Sequence, residues 1–306
     1  MADLILHHFP GSPFSEKLRL VMGYKQLGWK SVTVPPIMPK PDVVALTGGY
    51  RRTPFLQIGA DIYCDTALIC EVLEKLHPLP ALYPEEGRDR AMALTLGQWA
   101  DNTLFWAAVT YNRGASQELP AAVFEDRKAM GFDVDWWQPA DAAPAYRVYL
   151  QRLLELLDQR PYLLGEQPCS ADFCAFHPLW LAHLRAPARM DALQAMPAVQ
   201  RWLERMQAIG HGSSQPLDAA QAIATAAGCE PVPVGQGPLD DTRFPNEHGI
   251  ALGSQVRVAA QSFGLEPSEG ELIAATPMHY SLRRVDARAG TLHVHFPRIG
   301  YVLKRR

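Results

Sequence analysis

Leu4-Ile5-Leu6-His7-His8-Phe9-Pro10-Gly11-Ser12-Pro13-Phe14-Ser15-Glu16-Lys17-Leu18-Arg19-Leu20-Val21 is the stretch on which the fold turns. An apolar run of strand length bends through Pro10-Gly11 into a pattern with Leu18, Leu20, Val21 and Tyr24, which predicts a helix starting at Pro13. Ser12 and Ser15 hold the two positions that Cys-x-x-Cys occupies at a redox-active strand-to-helix junction. A hydroxyl cannot form a mixed disulfide. At a helix N-terminus it can still donate a hydrogen bond to a thiolate carried by another molecule, so the pattern points to a bound thiol.

The chain has 306 residues, 48% of them hydrophobic and 20% charged, enough for two or three ordinary globular domains. A formal net charge of −3 supplies no overall basic field, so nucleic-acid binding is not expected. The start lacks a signal-peptide pattern and no stretch approaches a membrane span. Five cysteines, odd in number, fit neither a disulfide framework nor a zinc site. Reduced, buried thiols and a cytoplasmic location are the expectation.

Strand and helix signals alternate over the first eighty or so residues. After the first helix, which Gly28 is expected to stop, come a strand at Ser31 to Val34 and a Pro-rich bend through Lys40. A short helical turn near Asp42 leads to a hairpin from Pro54 to Cys64 across Gly59-Ala60, and Asp65-Thr66 then opens a second long helix. From about Asp89 to Gly210 the patterns are helical only, including a stretch rich in Ala, Leu and Trp from Arg88 to Asn112 and a loop at Trp136-Trp137. Gly212 to Pro216 starts a helix-like Ala-rich piece, and Glu230 to Pro238 reads as a linker. Short period-2 strands near 255–258, 270–273, 280–283 and 292–296 predict a small open barrel.

Taken in order, Ser12-Pro13-Phe14-Ser15, Arg52-Thr53-Pro54-Phe55-Leu56 and Asp65-Thr66-Ala67-Leu68-Ile69 resemble the glutathione S-transferase superfamily, serine type, over about two thirds of the chain. The resemblance implies an α/β thioredoxin-like domain at 1–80 and an all-α helical domain at 88–228 carrying the electrophile pocket. The remainder, 239–306, is a small all-β, SH3-like barrel that the family does not normally need.

In that family a cis proline, here Pro54, turns the backbone of Thr53 toward the cysteinyl part of glutathione. An ordinary trans proline at an edge strand is the alternative. Asp65 and Thr66 are implied to hold the γ-glutamyl ammonium and carboxylate, though the same pair suits a plain N-cap. Ser12 is the candidate that stabilises the thiolate, with Ser15 second and Phe14 beside the cofactor. Lys40 or Arg52 would meet the glycyl carboxylate. His8, Trp99, Trp106 and Tyr111 are candidates for the electrophile pocket, with packing in the core as the competing role. Cys169 stands where the family places a Ser or Thr capping partner for Asp172, so a full capping box is not expected.

The histidines His279, His293 and His295 do not make a convincing metal set, and no metal is expected. The implied function is glutathione-dependent transfer to a small electrophile by a homodimer, without nucleic-acid or membrane partners. A non-catalytic glutathione-binding or protein-interaction protein that uses the C-terminal barrel is the alternative.

Overall fold

The computed structural model describes residues 2–113, 120–131, 137–185 and 191–306. β1 (Ile5–His8) leads into α1 (Pro13–Tyr24), and the chain returns in β2 (Gly28–Thr33). Gly28 therefore opens a strand, because the helix has already ended at the Lys25 cap. α2 (Pro41–Thr47), the hairpin β3 (Phe55–Ile58) and β4 (Asp61–Cys64), and α3 (Thr66–Leu76) complete a thioredoxin-like unit. β1 pairs parallel with β2 and antiparallel with β3, which pairs antiparallel with β4.

The helical region comprises α4 (Gly87–Trp99), α5 (Phe105–Asn112), α6 (Ala121–Ala129), α7 (Pro139–Leu156), α8 (Ser170–Arg185), α9 (Asp191–Gln194) and α10 (Pro197–Ala208). The sequence predicts a long helical pattern, rich in Ala, Leu and Trp, from Arg88 to Asn112. A π-helical turn, Ala100–Leu104, interrupts it where Asp101 meets Lys17 and His177 of neighbouring helices. Asp172 accepts from the backbone N–H of Cys169 and Leu163 and from Trp202 Nε1, at 3.0, 2.9 and 2.8 Å. It pins α8 to α10 and retains the Asp half of a capping box despite Cys169.

Residues 213–227 depart from the helix-like reading that begins at Gly212. β5 (Ser213–Pro216) pairs parallel with β2, and α11 (Ala219–Ala227) packs on α2 and β9. An exposed four-residue strand carries little periodicity, and only the unpaired edge of β2 gives it a partner.

The C-terminal strands β6 (Gln255–Ala260), β7 (Ser268–Ala275), β8 (His279–Asp286), β9 (Gly290–Pro297) and β10 (Tyr301–Arg305) form the expected strand-rich region, a meander in which β10 pairs back onto β6. Its attachment to the thioredoxin-like sheet has no local sequence signal. β9 pairs parallel with β4, giving one sheet of order β10-β6-β7-β8-β9-β4-β3-β1-β2-β5. Both edges of the thioredoxin-like sheet are thus covered.

The sheet separates two cores. One joins α1 and α3 to the helical region through Leu18, Ile69, Leu104, Phe176 and Trp202. The other joins α2 and the hairpin to the C-terminal strands through Leu46, Phe55, Leu272, Val294 and Phe296. Gly49 allows the second contact: a Cβ there would lie 2.0 Å from the Pro267 carbonyl oxygen. Ser268 staples the same joint, donating to Thr47 O at 2.7 Å and accepting from Tyr50 N at 3.2 Å. None of the described helices is long and apolar enough to cross a membrane.

Candidate functional site

Ser12 caps α1 with extended backbone, and Pro13 follows at the first helical position, where its missing N–H leaves no bond unmade. Ser12 Oγ accepts from Ser15 N at 3.2 Å and approaches Thr53 O at 3.4 Å, so its one proton points across to the third strand's entry. That second contact is long and readily exchanged for a better acceptor. Thr53–Pro54 is cis, and Thr53 is half-buried. Ser15 corrects the second choice for catalysis: its side chain is fully buried and accepts from Phe9 N at 3.4 Å, bracing the turn rather than facing a ligand.

Asp65 caps α3 at φ 75°, a backbone region that costs about 1–3 kcal/mol for a residue with a Cβ and recurs at ligand sites. Its Oδ1 accepts from Ala67 N at 3.0 Å, its own N–H donates to Tyr50 Oη at 3.2 Å, and Tyr301 Oη donates to Oδ2 at 3.0 Å. The Arg52 guanidinium stands 3.9 Å from Oδ2, and the carboxylate side chain keeps 25% of its exposure. Thr66 begins α3 and is buried. Ser12 meets Thr53 and the adjoining Arg52 approaches Asp65, so the hydroxyl and the partly exposed carboxylate stand at two helix N-termini linked by the Arg52–Thr53 segment.

Of the two candidates for the glycyl carboxylate, Lys40 is buried and Arg52 is half-buried. Lys40 is buried at the start of α2, donating to Arg51 O at 3.4 Å. Burial, with the Arg127 charge next, pushes its ammonium down to about 8. α6 packs above this bend: Met38 N donates to Asp126 at 3.0 Å, and Arg51 pairs with Asp126 at 2.7 Å and with Glu266 at 2.6 Å. Arg52 Nε is turned to Phe263 O at 2.5 Å.

The pocket candidates divide. Phe14 packs on Phe105 and His177, at 5.0 and 4.5 Å between ring centroids, so it faces the helical region rather than the thiol end of the groove. Trp106 lies beside Phe105 and edge-on to Phe263, on the loop between β6 and β7, so it stands between the helical region and the C-terminal strands. Trp99 and Tyr111 take the competing role: their contacts with Tyr149 and Tyr146 place them, partly buried, against the helical core. His8 is a correction. It binds Ser31 Oγ at 2.8 Å and Arg19 at 3.0 Å, and borders a hollow of about 510 Å3 with Glu16, Trp180 and His211 that does not include Ser12. Trp136 lies outside the described residues, while the Trp137 carbonyl accepts from Arg113 at 3.2 Å.

Tyr50, Phe263 and Tyr301 were missed. No local motif marks them: Tyr50 meets Asp65 N from just beyond α2, and Phe263 and Tyr301 reach Arg52 and Asp65 only through the docking of the C-terminal strands. The histidines considered for metal are engaged by protein groups: His295 bridges Asp61 and Ser281, His293 meets Val232 O, and His279 meets Thr276.

Comparison with known proteins gives matches to the glutathione S-transferase N-terminal domain over residues 6–81 and to the glutathione S-transferase C-terminal domain over residues 137–209. The fold is similar along its whole length to a GST-like protein from Pseudomonas syringae, at 39% identity, TM-score 0.84 and full coverage of both chains. A theta class glutathione S-transferase from Xanthomonas axonopodis pv. citri with glutathione bound matches 67% of this chain and 92% of its own, at 21% identity and TM-score 0.52, a likeness of fold. FtsZ-localized protein A of Caulobacter vibrioides is 26% identical over 173 residues, 56% of this chain and 73% of that protein.

Proposed function

The chain belongs to the glutathione S-transferase superfamily, and from that premise we propose that it binds glutathione along Ser12, Thr53, Asp65 and Thr66 and joins the intact glutathionyl group, through its thiol sulfur, to a small electrophile. The observation that carries this reading is the Ser12 hydroxyl, held at the N-terminus of α1 and aimed across at Thr53 O. A free thiol has a pKa of about 8.5, and moving it to near neutrality requires roughly 2–3 kcal/mol. A charge-assisted hydrogen bond and a helix N-terminus together supply about that much.

On this reading the glutathione thiol loses its proton to solvent and Ser12 Oγ–H turns from Thr53 O to the sulfur. The thiolate attacks an electrophilic carbon, forming a C–S bond as the leaving group departs with its electron pair. Asp65, with open lone pairs, suits an ammonium, and the first N–H groups of α3 at Thr66 suit a carboxylate. Phe105 and Trp106 form an apolar wall that fits the electrophile. A twofold dimer and a cytoplasmic location with reduced cysteines complete the reading.

Calorimetric titration with glutathione and ultraviolet titration of the bound thiol test it. The expected result is binding with a depressed thiol pKa that rises by ~1–2 units in Ser12→Ala. Absence of binding, or an unchanged thiol pKa in the variant, overturns it. A second reading draws support from the FtsZ-localized relative: a protein that keeps the fold and recognises another protein. Binding of glutathione without turnover of any electrophile in a broad panel would favour it.

A further inference from the structure

The C-terminal strands are joined to the groove by side chains as well as by sheet pairing. Tyr301, on the last strand, is buried, and its ring lies 5.6 Å from Phe296 and 6.5 Å from Tyr50. Its hydroxyl donates to Asp65 Oδ2, 3.0 Å away. The Arg52 guanidinium sits 5.8 Å above the same ring and is tied to Phe263 O, on the loop between β6 and β7. That loop reaches on to the helical region, where Gly264 N donates to Met130 O at 2.7 Å.

A carboxylate offers about four lone-pair positions. Ala67 N takes one on Oδ1 and Tyr301 takes one on Oδ2, which fixes the plane of the carboxylate; with the Arg52 guanidinium at 3.9 Å from Oδ2, the side chain still keeps 25% of its exposure. We propose that Tyr301 is a positioning residue for the γ-glutamyl ammonium of the thiol substrate, holding Asp65 in the orientation that receives it. The inference rests on the glutathione reading above and gives the C-terminal strands a part in that site. Burial, reinforced by the Asp65 charge, holds the Tyr301 phenol well above its usual value, so it remains a donor across the physiological range.

Calorimetry with glutathione and with its deamino analogue, in which hydrogen replaces the γ-glutamyl amine, tests this in wild type, Tyr301→Phe and Asp65→Asn. Wild type is expected to prefer glutathione by ~10-fold or more, as for one charge-assisted contact. The preference is expected to shrink to below ~3-fold in Tyr301→Phe and to vanish in Asp65→Asn, with deamino-glutathione affinity little changed. A purely structural role for Tyr301 would weaken both ligands equally. A full preference in Tyr301→Phe, equal weakening of both ligands, or no preference in wild type overturns the assignment. Failure of wild type to bind either ligand instead overturns the glutathione reading on which it rests.

Discussion

The Lys17 ammonium lies 2.6 Å from Asp101 Oδ2, one residue in the middle of α1 and the other in the π-helical turn that follows α4. Lys17 is wholly buried, and Asp101 also accepts from His177 Nε2 at 2.8 Å. Burial opposes both charges. Each nevertheless favours ionisation: Asp101 raises the lysine's pKa, and Lys17 holds the carboxyl below the usual range. The pair ties the thioredoxin-like unit to the helical region directly behind Phe14.

Removing one partner strands the other charge. Asp101→Asn is expected to destabilise the fold by ~2–4 kcal/mol in chemical denaturation, whereas Lys17→Met with Asp101→Leu loses less than the single change. Because the Asp101 carboxyl is depressed in the folded state, its contribution is present above the usual carboxylate pKa and is lost as pH falls through the lower folded value.

Three buried histidines predict a second acid sensitivity. Burial pushes His7, His8 and His279 from about 6.5 down to about 4. Above pH 6.5 they are neutral in both states. Below it the unfolded chain takes up protons that the folded chain refuses. Stability is therefore expected to fall as pH drops from 6.5 toward 4, by ~1.4 kcal/mol per pH unit for His7 alone. Urea midpoints across that range measure it, and His7→Gln should flatten the slope.

The joint between β4 and β9 gives a third expectation. His295 Nε2 lies 3.0 Å from Asp61 Oδ1 and its Nδ1 2.7 Å from Ser281 Oγ, while Val232 N donates to Asp61 Oδ2 at 2.9 Å. Asp61→Ala leaves these donors buried and is expected to lose ~3 kcal/mol, Ser281→Ala ~1 kcal/mol. Hydrogen exchange in His295→Ala should quicken at His293 to His295 while β1 and β2 keep their protection.

Thiol labelling checks the cysteine assignment. Cys64, Cys70 and Cys169 are buried, with thiols raised by burial, and Cys174 is half-buried and raised likewise; Cys229 is exposed. A single fast-reacting thiol is expected in the native protein, lost in Cys229→Ser, against five after denaturation.

The candidate site could be read from sequence because its parts are local. A strand ending in Pro10-Gly11-Ser12-Pro13 and an Asp65-Thr66 helix start carry their meaning within a few residues, and in the structure Ser12 meets Thr53 while the adjoining Arg52 approaches Asp65. Trp99 and Tyr111 are ambiguous in sequence for the opposite reason. On an amphipathic helix an aromatic reads the same whether it faces a ligand or Tyr149 and Tyr146. Lys40 kept its place at the bend, but α6 packing over it could not be foreseen from residues eighty positions away.

By itself the sequence determined the strand–helix order, the α/β and helical units, the strand-rich end and the serine at the first helix, since periodicity and turn chemistry act within short windows. Only the tertiary structure decided that β9 would pair with β4, that a π-turn would bring Asp101 to Lys17, and that Tyr301 would reach Asp65. Those contacts join residues far apart in the chain. They arise from the need to pair an open sheet edge and to give each buried charge or hydroxyl a partner, which no local pattern records.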